Sequence, residues 1–176
     1  MKHVKESGGE SEYLDRVWSL KERIRRRDGY LRQTWDFFSR AYTKNECHLY
    51  IDTAAEMTNG EGERGGNETV AGFITVRSDG YILFLGVDPR YRGKGVGESL
   101  VHKTEESHGR VSCHTRTTNE NAVGFYQHLG FEIQKRIDSY YRDGESAYYL
   151  TKKVETQKDR SLRRRISEIL GESDGD

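Results

Sequence analysis

Apolar positions near the start of the chain recur at helical spacing. Tyr13, Leu14, Val17, Trp18, Leu20 and Ile24 predict an amphipathic helix that stops at Asp28-Gly29. Leu31, Trp35, Phe38 and Tyr42 form one stripe, predicting a second helix over 31–42 whose aromatics pack into the interior. Residues 2–5 suit a short first strand, followed by a polar break over 7–10. Strand patterns then cover 48–53, 70–77 and 81–87, the last two joined by Ser78-Asp79-Gly80, whose Asp-Gly pair favours a hairpin. Between them, 59–67 is polar and glycine-rich and reads as a mobile surface loop. Further on come a helix (97–108), a strand (110–115), a helix closed by Gly130 (121–129) and two strands (131–141 and 146–153). Beyond Val154, Leu162, Ile166, Ile169 and Leu170 return to helical spacing, as an extra helix either docked or free. This alternation predicts an α/β domain with at least one parallel strand pair where helices cross over.

With 176 residues the chain suits one domain over 1–154, with a charged tail over 155–176. Nineteen aromatic residues supply core material that a disordered chain would lack. Basic and acidic side chains balance at 29 each, so no global field recruits membrane or nucleic acid. Two local basic runs, around Arg23–Arg27 and Arg160–Arg165, read first as solvated helix faces and leave room for a weak contact with a ribosome or an acidic partner. The two cysteines, Cys47 and Cys113, are far apart and outside any CxxC, which argues against a disulfide framework or a metal site. No apolar run approaches the roughly 20 residues of a bilayer span, and the N-terminus carries no apolar signal region. A soluble cytoplasmic protein is the expectation.

Candidate chemistry concentrates in Val87-Asp88-Pro89-Arg90-Tyr91-Arg92-Gly93-Lys94-Gly95-Val96-Gly97, entered from a strand and left through a helix. Glycines let backbone N–H groups turn to one side and approach a polyphosphate closely, and the helix start adds its positive dipole end. The nucleotide-binding sequence GxxxxGK[ST] is absent, and a dinucleotide loop would follow an early strand instead.

This segment resembles motif A of the GNAT acetyltransferases, V-x-P-x-x-[RQ]-x-x-G-x-[GA], with Val87, Pro89, Arg92, Gly95 and Gly97 in its fixed positions. A second segment, from Asn119 through Ala122, Tyr126 and Gly130 to Phe131, is similar to the family's N-x-x-A-x-x-x-Y-x-x-x-G-F. The resemblance covers about 48–152. It implies the GNAT fold: a mixed sheet of six to seven strands, splayed between strands 4 and 5, with about four helices. It also implies acetyl-CoA as co-substrate and no metal. Leu85, Gly86 and Val87 would pair with the pantetheine arm. Arg92, Gly93, Lys94, Gly95, Val96 and Gly97 would cradle the pyrophosphate, and Asn119 would help to hold the arm. Tyr126 matches the tyrosine that protonates the leaving thiolate.

Many family members carry a glutamate base on the fourth strand, but residues 81–87 contain no acid. In the ribosomal-protein N-terminal acetyltransferases a glutamate stands five residues before the motif asparagine, and His114 occupies that place here. It becomes the expected base, acting directly or through water in the imidazole range of pH. Tyr140-Tyr141-Arg142-Asp143-Gly144-Glu145-Ser146-Ala147 is similar to the Y-Y-x-[DN]-G-E-D-A segment of protein N-terminal acetyltransferases, with serine in place of aspartate at Ser146. The resemblance gives Tyr140 and Tyr141 a peptide-groove role and makes Asp143 and Glu145 organisers of the turn. The expected reaction is direct acetyl transfer to a protein α-amine or lysine. A small-molecule amine acetyltransferase and a non-catalytic acetyl-CoA-binding regulator are the alternatives.

Overall fold

The computed structural model describes residues 1–7, 11–53, 68–155, 161–162 and 165–167. Strands β1 (Lys2–Ser7), β2 (Glu46–Asp52), β3 (Thr69–Val76) and β4 (Ile82–Val87) form an antiparallel sheet in that order. Strands β5 (Arg110–Arg116), β6 (Glu132–Ile137) and β7 (Ala147–Lys153) form a second antiparallel sheet in the order β5-β7-β6. The two meet through a single parallel bridge, Tyr81 with Ser112, where the Ser112 N–H donates to the Gly80 carbonyl over 3.1 Å. Past that point β4 and β5 separate, so the seven strands are splayed where the sequence resemblance implied.

Helices α1 (Leu14–Asp28) and α2 (Trp35–Lys44) cover one face of the first sheet, and α3 (Val96–Glu105) and α4 (Glu120–His128) pack on the other side. Two cores result. One gathers Val17, Leu20, Ile24, Phe38, Tyr42 and Phe73; the other gathers Ile74, Val96, Leu100, Val111, Tyr126 and Leu150. Alternation along β3 supplies both, because adjacent side chains point to opposite faces. In β4 a bulge opposite Thr75/Val76 breaks the alternation. Leu83 and Phe84 both join the first core, whereas Ile82, Leu85 and Val87 join the second.

Two expectations change. Helix α2 starts at Trp35 rather than Leu31, because Leu31 has φ 56° and Thr34 is extended, which a continuous helix excludes. Strand β6 ends at Ile137 rather than running to Tyr141, because Ser139 at φ 50° turns the chain and leaves Tyr140 and Tyr141 outside the ladder. In the tail, residues 161–162 and 165–167 are helical, with Leu162 58% and Ile166 46% exposed; Ile169 and Leu170 lie outside the described residues, as does the glycine-rich stretch 59–67. Most of the second basic run also lies outside them. In the first, Arg23 pairs with Asp88 and Arg25 with Glu22, so part of its charge is neutralised within the fold.

Candidate active site

Asp88 builds the glycine loop. It is 2% exposed, and its carboxylate accepts from the Arg90 backbone N–H, the Arg90 guanidinium and Arg23 of α1. Burial alone would raise its pKa, but these donors bring it down to about 2. The carboxylate caps a short 3₁₀ turn, Pro89–Tyr91, after which Gly93 and Gly95 take φ values of 71° and 77°. Gly95 then caps α3, whose first-turn N–H groups have no intrahelical acceptor. A side chain at Gly93 or Gly95 would meet nothing within 4 Å, so the loop presents an open face. The Arg92 guanidinium is turned away, tied to Asp28 at 2.5 Å and to the Val87 carbonyl at 3.2 Å. Lys94 lies over the Tyr91 ring, 5.2 Å from its centroid. The loop therefore offers an anion chiefly backbone amides and the lysine.

Along β4, Gly86 is required by packing: an added Cβ would stand 2.5 Å from the Phe73 ring. The β4 edge not bonded to β3 faces the splay, so its backbone groups are available to a bound chain.

The splay opens into a cavity of about 1150 Å³. Leu85, His114, Asn119, Tyr126, Tyr140 and Tyr141 all line it, whereas Gly86, Val87 and residues 92–97 lie beyond its wall, along the same strand and the loop that follows. Asn119 caps α4, its Oδ1 accepting from the Ala122 N–H over 3.2 Å. Tyr126, 5% exposed, packs edge-on against Phe125 and Phe131. Burial, followed by the neighbouring Cys113, Tyr81 and Tyr141, pushes its pKa well above the usual 10.

His114 sits among three tyrosines. Its ring stacks on Tyr140 at 4.5 Å and 8°, lies 4.8 Å from Tyr149, and places Nδ1 2.9 Å from the Tyr81 hydroxyl. Burial first, and then the charge of Lys135, lowers its pKa below the ordinary 6.5. Burial likewise raises the pKa of Tyr81, so that phenol stays protonated. Sequence reasoning passed over Tyr81, because an aromatic opening a strand gives no sign of a partner 33 residues away. The lack of an acid on β4 was the available signal that another group there must serve.

The acceptor end is closed by two connections. The α1–α2 connection contributes residues 30–34, and the β6–β7 turn contributes residues 140–143. Arg32 bonds Asp143 at 2.8 Å, and the Tyr30 hydroxyl reaches the Thr118 carbonyl at 3.3 Å. Arg116 joins Asp143 and Glu145 and lies 4.0 Å over the Tyr141 ring. Phe37 lines this end, while Trp35 packs on Trp18 and stays out of the wall. Gln33 Oε1 and Thr115 Oγ1 are buried without hydrogen-bond partners, and both residues belong to the wall. Such orphaned acceptors leave bonding capacity for a bound molecule.

Comparison with known proteins agrees with this fold. The model of the Acetyltransferase (GNAT) family matches residues 15–131. The frog (Xenopus laevis) N-alpha-acetyltransferase 30 is 41% identical over 76 residues, a match covering 40% of this chain and 28% of that protein. The Salmonella typhimurium peptidyl-lysine N-acetyltransferase YjaB is 30% identical over 105 residues, covering 60% of this chain and 71% of its own. Arabidopsis thaliana NAA60, solved in complex with acetyl-CoA, superposes with a TM-score of 0.64 at 19% identity, over 87% of this chain and 100% of that one. At that identity the likeness concerns the fold. No helix among the described residues is long and apolar enough to cross a membrane.

Proposed function

This chain belongs to the acetyltransferase (GNAT) family, and from that premise we propose that it transfers an acetyl group from acetyl-CoA to the α-amine of a protein or peptide. The observation that carries the reading is the single cavity in which an acid-competent phenol, Tyr126, and a histidine–tyrosine pair, His114 with Tyr81, line the gap between β4 and β5.

Acetyl-CoA fits the residues present. Open glycines at 93 and 95, the first amides of α3 and Lys94 suit its pyrophosphate, and the free edge of Leu85–Gly86–Val87 suits the amides of its arm. Asn119 would steady the arm from the start of α4. When bound, acetyl-CoA supplies an acyl group activated as a thioester. The residues supply proton traffic. An ammonium cannot attack, so the amine must lose a proton. The Tyr81 hydroxyl donates to His114 Nδ1 and takes the amine proton in the same movement, leaving the charge on the imidazolium. Tyr126, lining the same gap with its phenol kept protonated by burial, would supply the proton for the sulfur that leaves as the amine takes up the acetyl group. Tyr140, Tyr141 and Phe37 would line the acceptor peptide, and the orphaned acceptors of Gln33 and Thr115 would take its N–H donors.

The α-amine reading is supported by the frog relative, named for that activity, and by Tyr140, the first of the paired tyrosines, stacked on His114. The chain spans only about a quarter of that relative's length. A lysine acceptor is the second reading, favoured by the larger share of the Salmonella protein that the chain covers. The test is acetyl-CoA turnover against peptides with a free N-terminus and no lysine, N-terminally blocked peptides with one lysine, and polyamines. Turnover confined to the first group supports α-amine transfer, turnover confined to the second supports lysine, and turnover on polyamines alone sinks both.

A further inference from the structure

We infer that the acceptor carries an acidic group beside its reacting amine, held by Lys135 and Arg142 at the acceptor end of the cavity. The inference rests on the amine-transfer reading above and names the chemistry of its acceptor.

The cavity wall is unbalanced in charge. Arg32, Arg77, Arg116, Lys135 and Arg142 all line it, and Asp143 is the one carboxylate among the lining residues. Most of these cations are already engaged. Arg77 turns to Asp79, and Arg32 and Arg116 converge on Asp143, with Glu145 taking a further bond from Arg116. Three carboxylates thus answer three arginines. Lys135 and Arg142 remain, with no carboxylate partner among the described residues. Both are exposed, so neither is held by packing.

Their placement gives the surplus a use. Lys135 lies over Tyr149, 5.9 Å from the ring centroid, and Tyr149 in turn packs on His114. The lysine is near enough that its charge helps to lower the His114 pKa. Arg142 directly follows Tyr140 and Tyr141 on the turn that walls the same end. Two positive charges therefore line the same cavity as His114, one of them linked to its ring through Tyr149. The phosphates of acetyl-CoA do not account for them, since residues 92–97 take no part in this wall.

A positive wall works in two directions. It favours the neutral, reactive form of an amine, because a like charge disfavours the ammonium. It also repels an acceptor that brings further cations, such as a polyamine or a lysine-rich segment. An acceptor whose next residues are aspartate or glutamate gains attraction on the way in and a partner once bound. The cations are exposed, so the attraction is modest and is screened by salt.

The experiment compares peptides identical except at the second and third positions, which carry glutamate, glutamine or lysine. The readout is kcat/KM at low ionic strength and at about 0.5 M salt, where the Debye length is only a few ångströms. We expect glutamate over glutamine by roughly 3- to 30-fold at low salt, lysine below glutamine, and the spread compressed at high salt. Lys135→Glu/Arg142→Glu should invert the order, with its fold checked by thermal unfolding. Should that variant not fold, the wild-type peptide and salt series decides alone. Equal use of glutamate and glutamine peptides overturns the inference while leaving amine transfer standing. Failure to acetylate any peptide or small amine, with acetyl-CoA bound, overturns both.

Discussion

Tyr126 combines two properties that a proton donor to a thiolate needs. It lines the cavity, and its burial keeps the phenol protonated well past neutral pH. Tyr126→Phe preserves the ring that packs on Phe125 and Phe131, so the variant should fold and bind acetyl-CoA normally while losing roughly 10²-fold or more in turnover. Wild-type turnover, with the chemical step shown to limit the rate, would return the residue to packing. His114 must be neutral to take a proton, so activity should rise as pH passes upward through its pKa. Burial and Lys135 depress that pKa, which places the midpoint below the ordinary 6.5. His114→Ala should flatten the limb and leave acetyl-CoA affinity intact. Tyr81→Phe removes the group through which the proton reaches the ring and should lower kcat in the same way. A profile of His114→Ala superimposable on wild type removes the histidine from the mechanism. His114 was legible in the sequence from its distance to Asn119; Tyr81 became visible only when the parallel bridge brought β4 and β5 together.

At the level of elements, the most legible segment was the strand–loop–helix from β4 to α3, because its chemistry constrains residue type. Positive φ at 93 and 95 asks for glycine, and the turn asks for a capping aspartate followed by proline. Gly95→Val imposes a β-branched side chain at φ 77° and fills the open face of the loop, so acetyl-CoA binding measured by calorimetry should be abolished. Unchanged affinity would refute the cradle. Asp88→Asn should destabilise the fold by about 1–3 kcal/mol, since Arg23 and Arg90 lose a buried charged acceptor. The folded-state pKa, about 2, lies below the usual carboxylate value. This contribution is therefore complete above roughly pH 4 and lost as pH falls toward 2. The difference in stability between wild type and Asp88→Asn should vanish over that window in acid unfolding curves. The starts of α2 and the end of β6 were not legible because they hinge on Leu31 and Ser139, non-glycine residues at positive φ that tertiary contacts impose. Both border the acceptor end, where conformational cost is often concentrated.

Across the whole molecule, the two sheets share one parallel bridge and the second core, while β4 and β5 part beyond them to leave a cavity whose open seam is crossed only by connection ties among the described residues. The ties are Arg32 with Asp143 and Tyr30 with Thr118, both at exposed side chains, and exposed pairs contribute little. The seam should therefore be the least stable part of the domain in the absence of ligand, and anything that fills it should stabilise the whole. A ligand that binds only the folded state adds about 2.7 kcal/mol at 100 times its Kd. For a domain of this size that corresponds to a rise of roughly 5–10 °C in Tm. Acetyl-CoA should produce such a rise in wild type and in Tyr126→Phe, and none in Gly95→Val. Amide exchange should slow along the splayed edges, Ile82–Val87 and Arg110–Arg116, more than along β1 and β2, which do not line this cavity. A uniform slowing across both sheets would mean that the ligand stabilises the fold without occupying the splay, and the assignment of β4 as the edge that holds the cofactor arm would fall with it.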